Sequence, residues 1–268
     1  MNHTNKHLKT LALAACLTLA VPNTFAQAFD AVRLMGAAPG KDGGTVGAAA
    51  ISAYAYQGSD QDTTLLVPVL DYQWASGWFA GVTNGLGYNF SDAPQIQYGL
   101  RMTANTGRKE SAASDLRAMG DIAAAAEGGA FFNYVGPQGV FLTSSIRYGA
   151  GANSNGVVVD LGTGYLTELA PQWHLGLGAA LTLANADYMQ SFFGVTGVQS
   201  AASGHAMYTA GAGARDVRAN VALTYSIDTR TAVTAALYAT HLLADAKDSP
   251  LTRKPTAVSG VVAISYGF

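Results

Sequence analysis

The amino-acid sequence predicts an all-β protein, a transmembrane barrel of antiparallel strands. Charged residues make up only 12% of the chain, about half the roughly 25% that is usual in a soluble domain. Beyond the N-terminal segment, the sequence contains no uncharged apolar run of about 18 residues, so it predicts no transmembrane helix there. A chain with too few charges for a water-exposed surface and without a spanning helix has the closed barrel as its remaining membrane solution.

The N-terminal segment has the pattern of a secretory signal peptide. Lys6 and Lys9 precede an uncharged apolar run at 11–21, followed by small residues typical of a cleavage site. We predict a signal peptide over residues 1–28, cleaved after Ala26 or after Ala28, and a single barrel domain over 29–268. The segment ending at Cys16 also resembles a lipidation motif, but cleavage there would shorten the apolar region to about eight residues.

Cysteine content and charge exclude several classes of site and partner. Cys16 is the only cysteine, so the mature chain can form neither disulfides nor thiolate metal sites. The formal net charge of −2 gives no indication of a nucleic-acid partner. We expect outer-membrane lipids to surround the domain, and we predict no cofactor.

Alternation of apolar and polar residues predicts the strands, because a period of two places one set on each face of a sheet. In the segment 173–184, Trp173 and four leucines share one face, while His174, glycines, alanines and Thr182 share the other. Eleven segments have this character, and a weak twelfth is Ala31–Met35. The others are 45–56, 66–74, 78–90, 95–102, 128–134, 139–149, 157–168, 173–184, 216–225, 231–242 and 256–268.

We predict about twelve strands, with ten as the alternative, because single-chain bacterial barrels have even strand numbers. Twelve strands place the long connections 107–127, 185–215 and 245–255 outside the cell. The tight connections at 136–137, 170–171 and 228–229 then face the periplasm, as is usual.

Aromatic residues at strand ends predict interfacial girdles, rather than the core of a soluble β-sandwich. They are Tyr72, Trp74, Trp78, Tyr88, Tyr148, Trp173 and Tyr266. The final segment alternates back from Phe268 through Tyr266 and Ile264. It resembles the terminal signal strand of outer-membrane proteins, which implies recognition by the barrel-assembly machinery.

Charged side chains on the predicted inner faces admit two interpretations. They either line a narrow polar pore or pair across the lumen as a structural network, which we favour. They are Asp71, Arg101, Arg147, Asp160, Glu168, Asp216 and Arg218.

The connections contain few candidates for chemistry. His205 follows Ser203 and Gly204, but no acidic partner can be placed beside it, so we interpret it as a solvated histidine. Arg108 and Lys109 are interpreted as a solvated basic pair rather than a phosphate or lipopolysaccharide site. Two acidic residues of the 245–250 segment could approach a divalent cation, but an ordinary turn is the simpler interpretation.

Several motifs resemble the family of MltA-interacting proteins, also called the MipA/OmpV family. The motif residues are Tyr188, Met189, Gln190, Phe193, Gly194, Val195, Ser203, Gly204, Asp245, Ser249 and Pro250. Gly107–Lys109 and Gly85–Asn89 also fit the family's pattern, and the resemblance extends from about Tyr54 to Phe268.

This resemblance implies a non-enzymatic scaffold in the outer membrane, without catalytic residues to transfer. The family's namesake joins a lytic murein transglycosylase to a murein synthase, so we expect those two enzyme classes as partners in cell-wall remodelling. The alternative is a narrow channel, a solute- or antibiotic-responsive transport protein, or an adhesin.

Overall fold

The computed structural model describes residues 40–268. The predicted signal peptide, both predicted cleavage sites and the predicted strand Ala31–Met35 lie outside the described residues. Residues 40–268 form twelve antiparallel strands, and each strand pairs with its neighbours in chain order. Pairing of the first strand with the last closes the barrel, which confirms the predicted fold class.

The strands cover most of the described chain. Their bounds are Gly43–Tyr54 (β1), Asp62–Gln73 (β2), Trp78–Gly81 (β3), Gly85–Asn89 (β4), Ile96–Asn105 (β5), Ala125–Val135 (β6), Val140–Ala150 (β7), Gly156–Ala170 (β8), Trp173–Ala184 (β9), Gly213–Ser226 (β10), Thr231–Leu242 (β11) and Thr256–Gly267 (β12). Short α-helices occupy Ala186–Phe193 (α1), Gly197–Ser203 (α2) and Ala244–Asp248 (α3). No helix in residues 40–268 is long and apolar enough to cross a membrane.

The predicted alternation is visible in the exposure of the side chains. On β7, Leu142 and Ile146 are exposed on the outside, whereas Phe141, Thr143 and Ser145 are buried inside. Outward apolar side chains face lipid, so their exposure to solvent in the isolated chain is compatible with a stable membrane protein.

One predicted strand is wrong in its boundaries. We predicted a single strand over 78–90, but the chain turns at 82–84 and forms the short hairpin β3–β4. Gly85 permits this turn because its φ of 73° lies in the left-handed region that disfavours other residues. The twelve-strand count is therefore reached within residues 40–268 without the segment Ala31–Met35.

The two ends of the barrel differ in the length of their connections. The turn end carries the tight connections 74–77, 90–95, 136–139, 171–172 and 227–230, together with residues 40 and 268. The loop end carries the long connections 106–124, 185–212 and 243–255. This is the arrangement expected from an even number of strands.

Aromatic side chains form a girdle at the turn end. Trp74 packs on Tyr72, Trp78 packs on Tyr88, and Trp173 packs on Tyr225, with ring centroids between 4.8 and 5.3 Å apart. Tyr148 lies on the outside near the loop end, where β7 finishes. The girdle marks the depth at which the turn end meets the membrane interface.

The C-terminal residue completes the seam of the barrel. Phe268 exchanges two backbone hydrogen bonds with Gly44, at 2.9 and 3.0 Å. Its ring stacks on Tyr72 with a centroid distance of 6.0 Å. Two residues further along the same pair of strands, Tyr266 pairs with Val46. The terminal aromatic residue thus joins β12, β1 and β2 at the girdle.

The seam generates a prediction at Gly47, where a Cβ would overlap the backbone oxygen of Ile264 on β12. We expect Gly47→Val to separate β1 from β12 and to lower the free energy of unfolding by about 1–3 kcal/mol, the usual cost of overpacking. The measurement is the urea concentration at which half of the protein has lost its folded band on gel electrophoresis, the band that shifts when the sample is heated first. Ala48→Val, whose side chain points to lipid, is the matched control, and equal midpoints for the two variants would contradict the prediction.

Candidate functional site

A ladder of buried charges crosses the inner face of five consecutive strands near the loop end. Arg147 on β7 donates to Glu127 on β6 at 3.0 Å and to Asp160 on β8 at 2.8 Å. Arg218 on β10 donates to the other oxygen of Asp160 at 2.7 Å and pairs with Asp216 at 3.1 Å. The acidic and basic residues alternate, so the ladder is close to neutral.

Asp160 is the centre of this ladder. Both of its oxygens accept from arginines, and one also accepts from the Thr182 hydroxyl on β9 at 2.7 Å. All of these side chains are buried. Charged groups in such surroundings are stable only when they are paired and hydrogen-bonded.

Arg215 extends the ladder to the connections above it. A register shift between Ala214 and Asp216 marks a bulge in β10, so Arg215 and Asp216 are both buried although they are adjacent in sequence. Arg215 donates to Asp216 and, at 2.8 Å, to the hydroxyl of Tyr188. The Tyr188 hydroxyl also accepts from Gln57 at 3.3 Å.

The connections 106–124, 185–212 and 243–255 fold together into a structure that we call the lid. One apolar cluster contains Tyr188, Met189, Phe192 and Phe193 of α1, packed against barrel residues and residues of the other two connections. A second cluster joins Leu116, Met119, Val195 and Leu251 to Tyr56, and Tyr208 contacts both clusters. The lid is therefore a packed layer over the loop end rather than a set of separate loops.

Most of the family-motif residues build the interior of this lid. Tyr188, Met189, Phe193 and Val195 belong to its apolar clusters. A Cβ at Gly194 would overlap the Gln190 side chain, and Gly204 ends α2 with a φ of 82°. Pro250, which is partly exposed, lies between the buried residues Ser249 and Leu251.

Polar motif residues fasten the connections 185–212 and 243–255 to each other. The Ser249 hydroxyl donates to the Phe193 carbonyl at 2.6 Å and accepts from the Leu251 amide at 3.2 Å. The Asp245 carboxylate accepts from the Gly211 amide at 2.6 Å. Gln190 accepts from the Ala210 amide at 3.0 Å. Asp245 thus caps backbone, and its segment forms the short helix α3 rather than the ordinary turn that we predicted.

The interpretation of Arg108 and Lys109 as a solvated pair is wrong for Arg108. Its side chain is 4% exposed and donates to the Phe192 carbonyl at 2.7 Å, and burial lowers its pKa to about 10. Lys109 is exposed and pairs with Asp121 at 2.9 Å. Burial also raises the pKa of Tyr56 to about 12, and the Tyr56 hydroxyl donates to the Leu251 carbonyl at 2.8 Å.

The seven predicted lumen charges do not all join the ladder. Arg147, Asp160, Asp216 and Arg218 form it, and Arg101 is buried on β5 in the same row as Arg147, two strands away. Asp71 accepts from Thr83 and Asn84 of the β3–β4 turn. Glu168 is exposed near the turn end, because β8 continues beyond the region that the lid covers.

Alternation alone missed Arg215, Glu127 and Arg108. The bulge in β10 reverses the expected direction of Arg215, and β6 begins at Ala125, three residues before the predicted start, so Glu127 lay one residue outside the predicted strand. Arg108 is placed by contacts with α1, which no local pattern encodes. A longer predicted β6 would have placed Glu127 opposite Thr103 on β5. This was the one sequence signal for the inward position of Glu127.

The described residues show no arrangement for hydrolytic chemistry around His205. Its Nε2 lies 2.9 Å from the backbone oxygen of Asp115, and the Ser203 hydroxyl donates to the Gln199 carbonyl at 2.6 Å. Residues 40–268 also contain no group of three or more His, Cys, Asp or Glu side chains that could hold a metal ion.

Comparison with known proteins identifies the family of this chain. The family model described as "MltA-interacting protein MipA" matches residues 46–268. The chain belongs to this family. It is accordingly an integral protein of the outer membrane, and the outward apolar side chains of its closed barrel suit that location.

Solved structures of outer-membrane proteins are similar to the chain at low sequence identity. The NanC porin is 9% identical, with 83% of this chain and 98% of that chain covered and a TM-score of 0.43. The outer membrane channel DcaP of Acinetobacter baumannii is 9% identical, with 85% and 96% covered and a TM-score of 0.42. No curated protein matches the chain.

The ladder predicts a large effect of neutralising Asp160. In Asp160→Asn, two buried arginines lose their shared counter-charge, and we expect a loss of about 3–5 kcal/mol in the free energy of unfolding. Urea titration of the folded band measures it. Asp121→Asn, at the exposed pair with Lys109, should leave the midpoint near that of the parent protein. A midpoint for Asp160→Asn equal to that of Asp121→Asn would contradict the role of the ladder.

A second prediction concerns the hydrogen bonds that fasten the lid. Ser249→Ala removes the hydroxyl that bonds Phe193 and Leu251 and leaves a buried carbonyl without this donor, at a cost of about 1–3 kcal/mol. We expect faster proteolysis within the lid and little change in the unfolding of the barrel. Ser154→Ala, in the 151–155 turn at the same end, is the control. Unchanged proteolysis of Ser249→Ala would contradict the assignment.

Proposed function

We propose that this protein is a non-enzymatic scaffold of the outer membrane that binds a lytic murein transglycosylase and a murein synthase at its turn end. The observation that carries the proposal is the family match over residues 46–268, since the family's name records an interaction with MltA. The assignment of murein enzymes as partners, and a role in cell-wall remodelling, rest on that name and on the motif resemblance.

The closed loop end supports a scaffold over an open pore. The lid covers that end with two apolar clusters, and the ladder beneath it pairs its own charges. Closer to the turn end, Phe79, Phe131 and Phe141 are buried inside the barrel. An open pore requires a continuous polar path, and these side chains interrupt one.

The turn end is the surface that murein enzymes would reach. Short turns face the periplasm in bacterial barrels, and murein lies on that side of the outer membrane. The connection 90–95 carries Asp92, which is exposed. The connection 227–230 is held by Asp228, whose carboxylate accepts from the amides of Arg230 and Thr231. Rigid turns of this kind suit a docking surface, because little ordering entropy is lost on binding.

A narrow or gated channel is the second candidate. A cavity of about 380 Å³ opens at the turn end between β1, β2 and the β3–β4 hairpin. Its lining includes Thr45, Asp71, Gln73, Phe79 and Asn84. A vestibule of this size is compatible with solute entry if the lid opens.

Partner capture tests the scaffold. Affinity-tagged protein purified from gently solubilised envelopes should recover MltA or another lytic transglycosylase. A short epitope inserted after Asp92, at the turn end, should abolish recovery. The same epitope inserted after Asn153, in the loop-end turn 151–155, should preserve it. Equal recovery with both insertions, or recovery of no murein enzyme by the parent protein, would overturn the proposed function.

Planar-bilayer recording separates the scaffold from the channel. With the lid packed, refolded protein should show no steady open conductance. A double variant Tyr188→Ala and Phe193→Ala, which removes two buried side chains from α1, should show none either, because Phe79, Phe131 and Phe141 still interrupt the path. Flickering openings in this variant would favour a channel that the lid gates. Steady conductance of the parent protein would instead favour the channel.

A further inference from the structure

The part of the barrel wall formed by residues 40–268 is incomplete beside β2. β2 extends from Asp62 to Gln73, but it pairs with β3 only at Asp71–Gln73, with one further hydrogen bond from the Val82 amide to the Leu70 carbonyl. β5 likewise extends three residues beyond its pairing with β4, which ends at Met102. Among residues 40–268, no strand pairs with this side of 62–69.

The missing wall forms an opening that we call the β2 gap, bounded by 62–69 of β2, 103–105 of β5 and the hairpin turn 82–84. Two strands are absent there, which corresponds to about 10 Å of wall at ordinary strand spacing. Side-chain exposure agrees with this. Leu66 is 83% exposed, whereas outward apolar residues on fully paired strands, such as Leu142 and Val262, are 51% and 57% exposed.

The gap lies at the depth of the lipid chains. Leu66 is six residues from Tyr72 of the girdle, which at ordinary rise and tilt places it about 15 Å above the girdle, within an apolar band about 25 Å tall. The segment 63–70 carries no charge. Membrane amphiphiles are therefore the molecules that surround this opening.

Pro68 disfavours pairing of the open edge with another strand. The Leu70 carbonyl points toward β3, and successive residues of a strand direct their backbone groups to alternate sides, so Leu66 and Pro68 face the gap. Proline has no N–H to donate and is confined to strand edges. Strand addition by a second copy would lack a hydrogen bond at the middle of the edge.

The inner wall beside the gap is apolar, in contrast to the charged ladder on the other side of the lumen. Leu65, Val67 and Val69 point inward and pack against a cluster that includes Ile51 and Val261. The cluster residues on β1 are buried, while these three side chains of β2 are partly exposed. The opening therefore leads to an apolar surface inside the barrel.

We propose that the β2 gap is a lateral binding cleft for an acyl-chain amphiphile of the outer leaflet. The acyl chain lies along Leu65, Val67 and Val69 and ends at the hairpin turn. Its polar end hydrogen-bonds the backbone groups of Thr64 and Leu66 that face the gap. These groups would otherwise lack partners in a medium without water. This cleft is independent of murein-enzyme binding at the turn end.

Fluorescence quenching tests the cleft against a control in the same row of the sheet. Val67, Ala49 and Ala263 form one row across β2, β1 and β12. At ordinary strand spacing and tilt, Ala263 lies within about 6 Å of the depth of Val67, but it lies between two paired strands. Each of Val67→Cys, Ala263→Cys and outward Leu66→Cys is made in a Cys16→Ser background, labelled with a bimane and reconstituted in phosphatidylcholine vesicles. The probe is a single-chain phosphocholine brominated on its acyl chain.

We expect the probe to quench the labels at Leu66 and Val67 several-fold more than the label at Ala263. Unbrominated single-chain phosphocholine should restore the fluorescence of the Val67 label by competition. Quenching of the Leu66 label, which includes general contact with lipid, should change little. Three results would each overturn the proposal. They are equal quenching of the labels at Val67 and Ala263, quenching of the Val67 label by aqueous iodide but not by the probe, and quenching at Val67 that the unbrominated competitor does not relieve. Folding is checked by heat-modifiable migration, and Leu65→Cys replaces Val67→Cys if the latter does not fold.

Discussion

Asp160 accepts hydrogen bonds from Arg147 and Arg218 across the inside of the barrel. Most of the structure at the loop end, including the lid, depends on this arrangement. In a buried setting the two arginines are stable only because the carboxylate lies between them. The pairing fixes the relative positions of β7, β8 and β10. Through Asp216 and Arg215 it also reaches the hydroxyl of Tyr188, so the barrel and the lid share one polar framework.

The two halves of the lumen follow different physical rules. On the side of β6–β10, ion pairs and hydrogen bonds fill the space and hold the lid, which needs precise partners. On the side of β1, β2, β11 and β12, alanine, valine and isoleucine fill it by apolar packing. The short hairpin β3–β4 lies where these halves meet, and it leaves the edge of β2 open to the lipid side. A closed loop end and a lateral opening are thus features of the same barrel.

Local sequence patterns predicted the wall well and its exceptions poorly. Alternation placed β7, β9 and β12 because each residue of a regular strand faces lipid or lumen according to its position alone. The hairpin turn at 82–84 was missed because alternation on both sides of it is continuous with one long strand. Arg215 was missed because a bulge changes the face of a residue without changing its neighbours in sequence. The lid motifs could be recognised, but the burial of Arg108 and Tyr188 depends on contacts between connections far apart in the chain.

The central claim is that the lid is packed on the ladder and closes the loop end in the membrane. Its most direct test is a spin-label distance in native outer membranes, between Val198→Cys on the exposed surface of α2 and Leu161→Cys on the outside of β8. The account predicts a single narrow distance distribution that broadens when Asp160 is also changed to Asn. A broad or two-peaked distribution in the otherwise unchanged protein would contradict it.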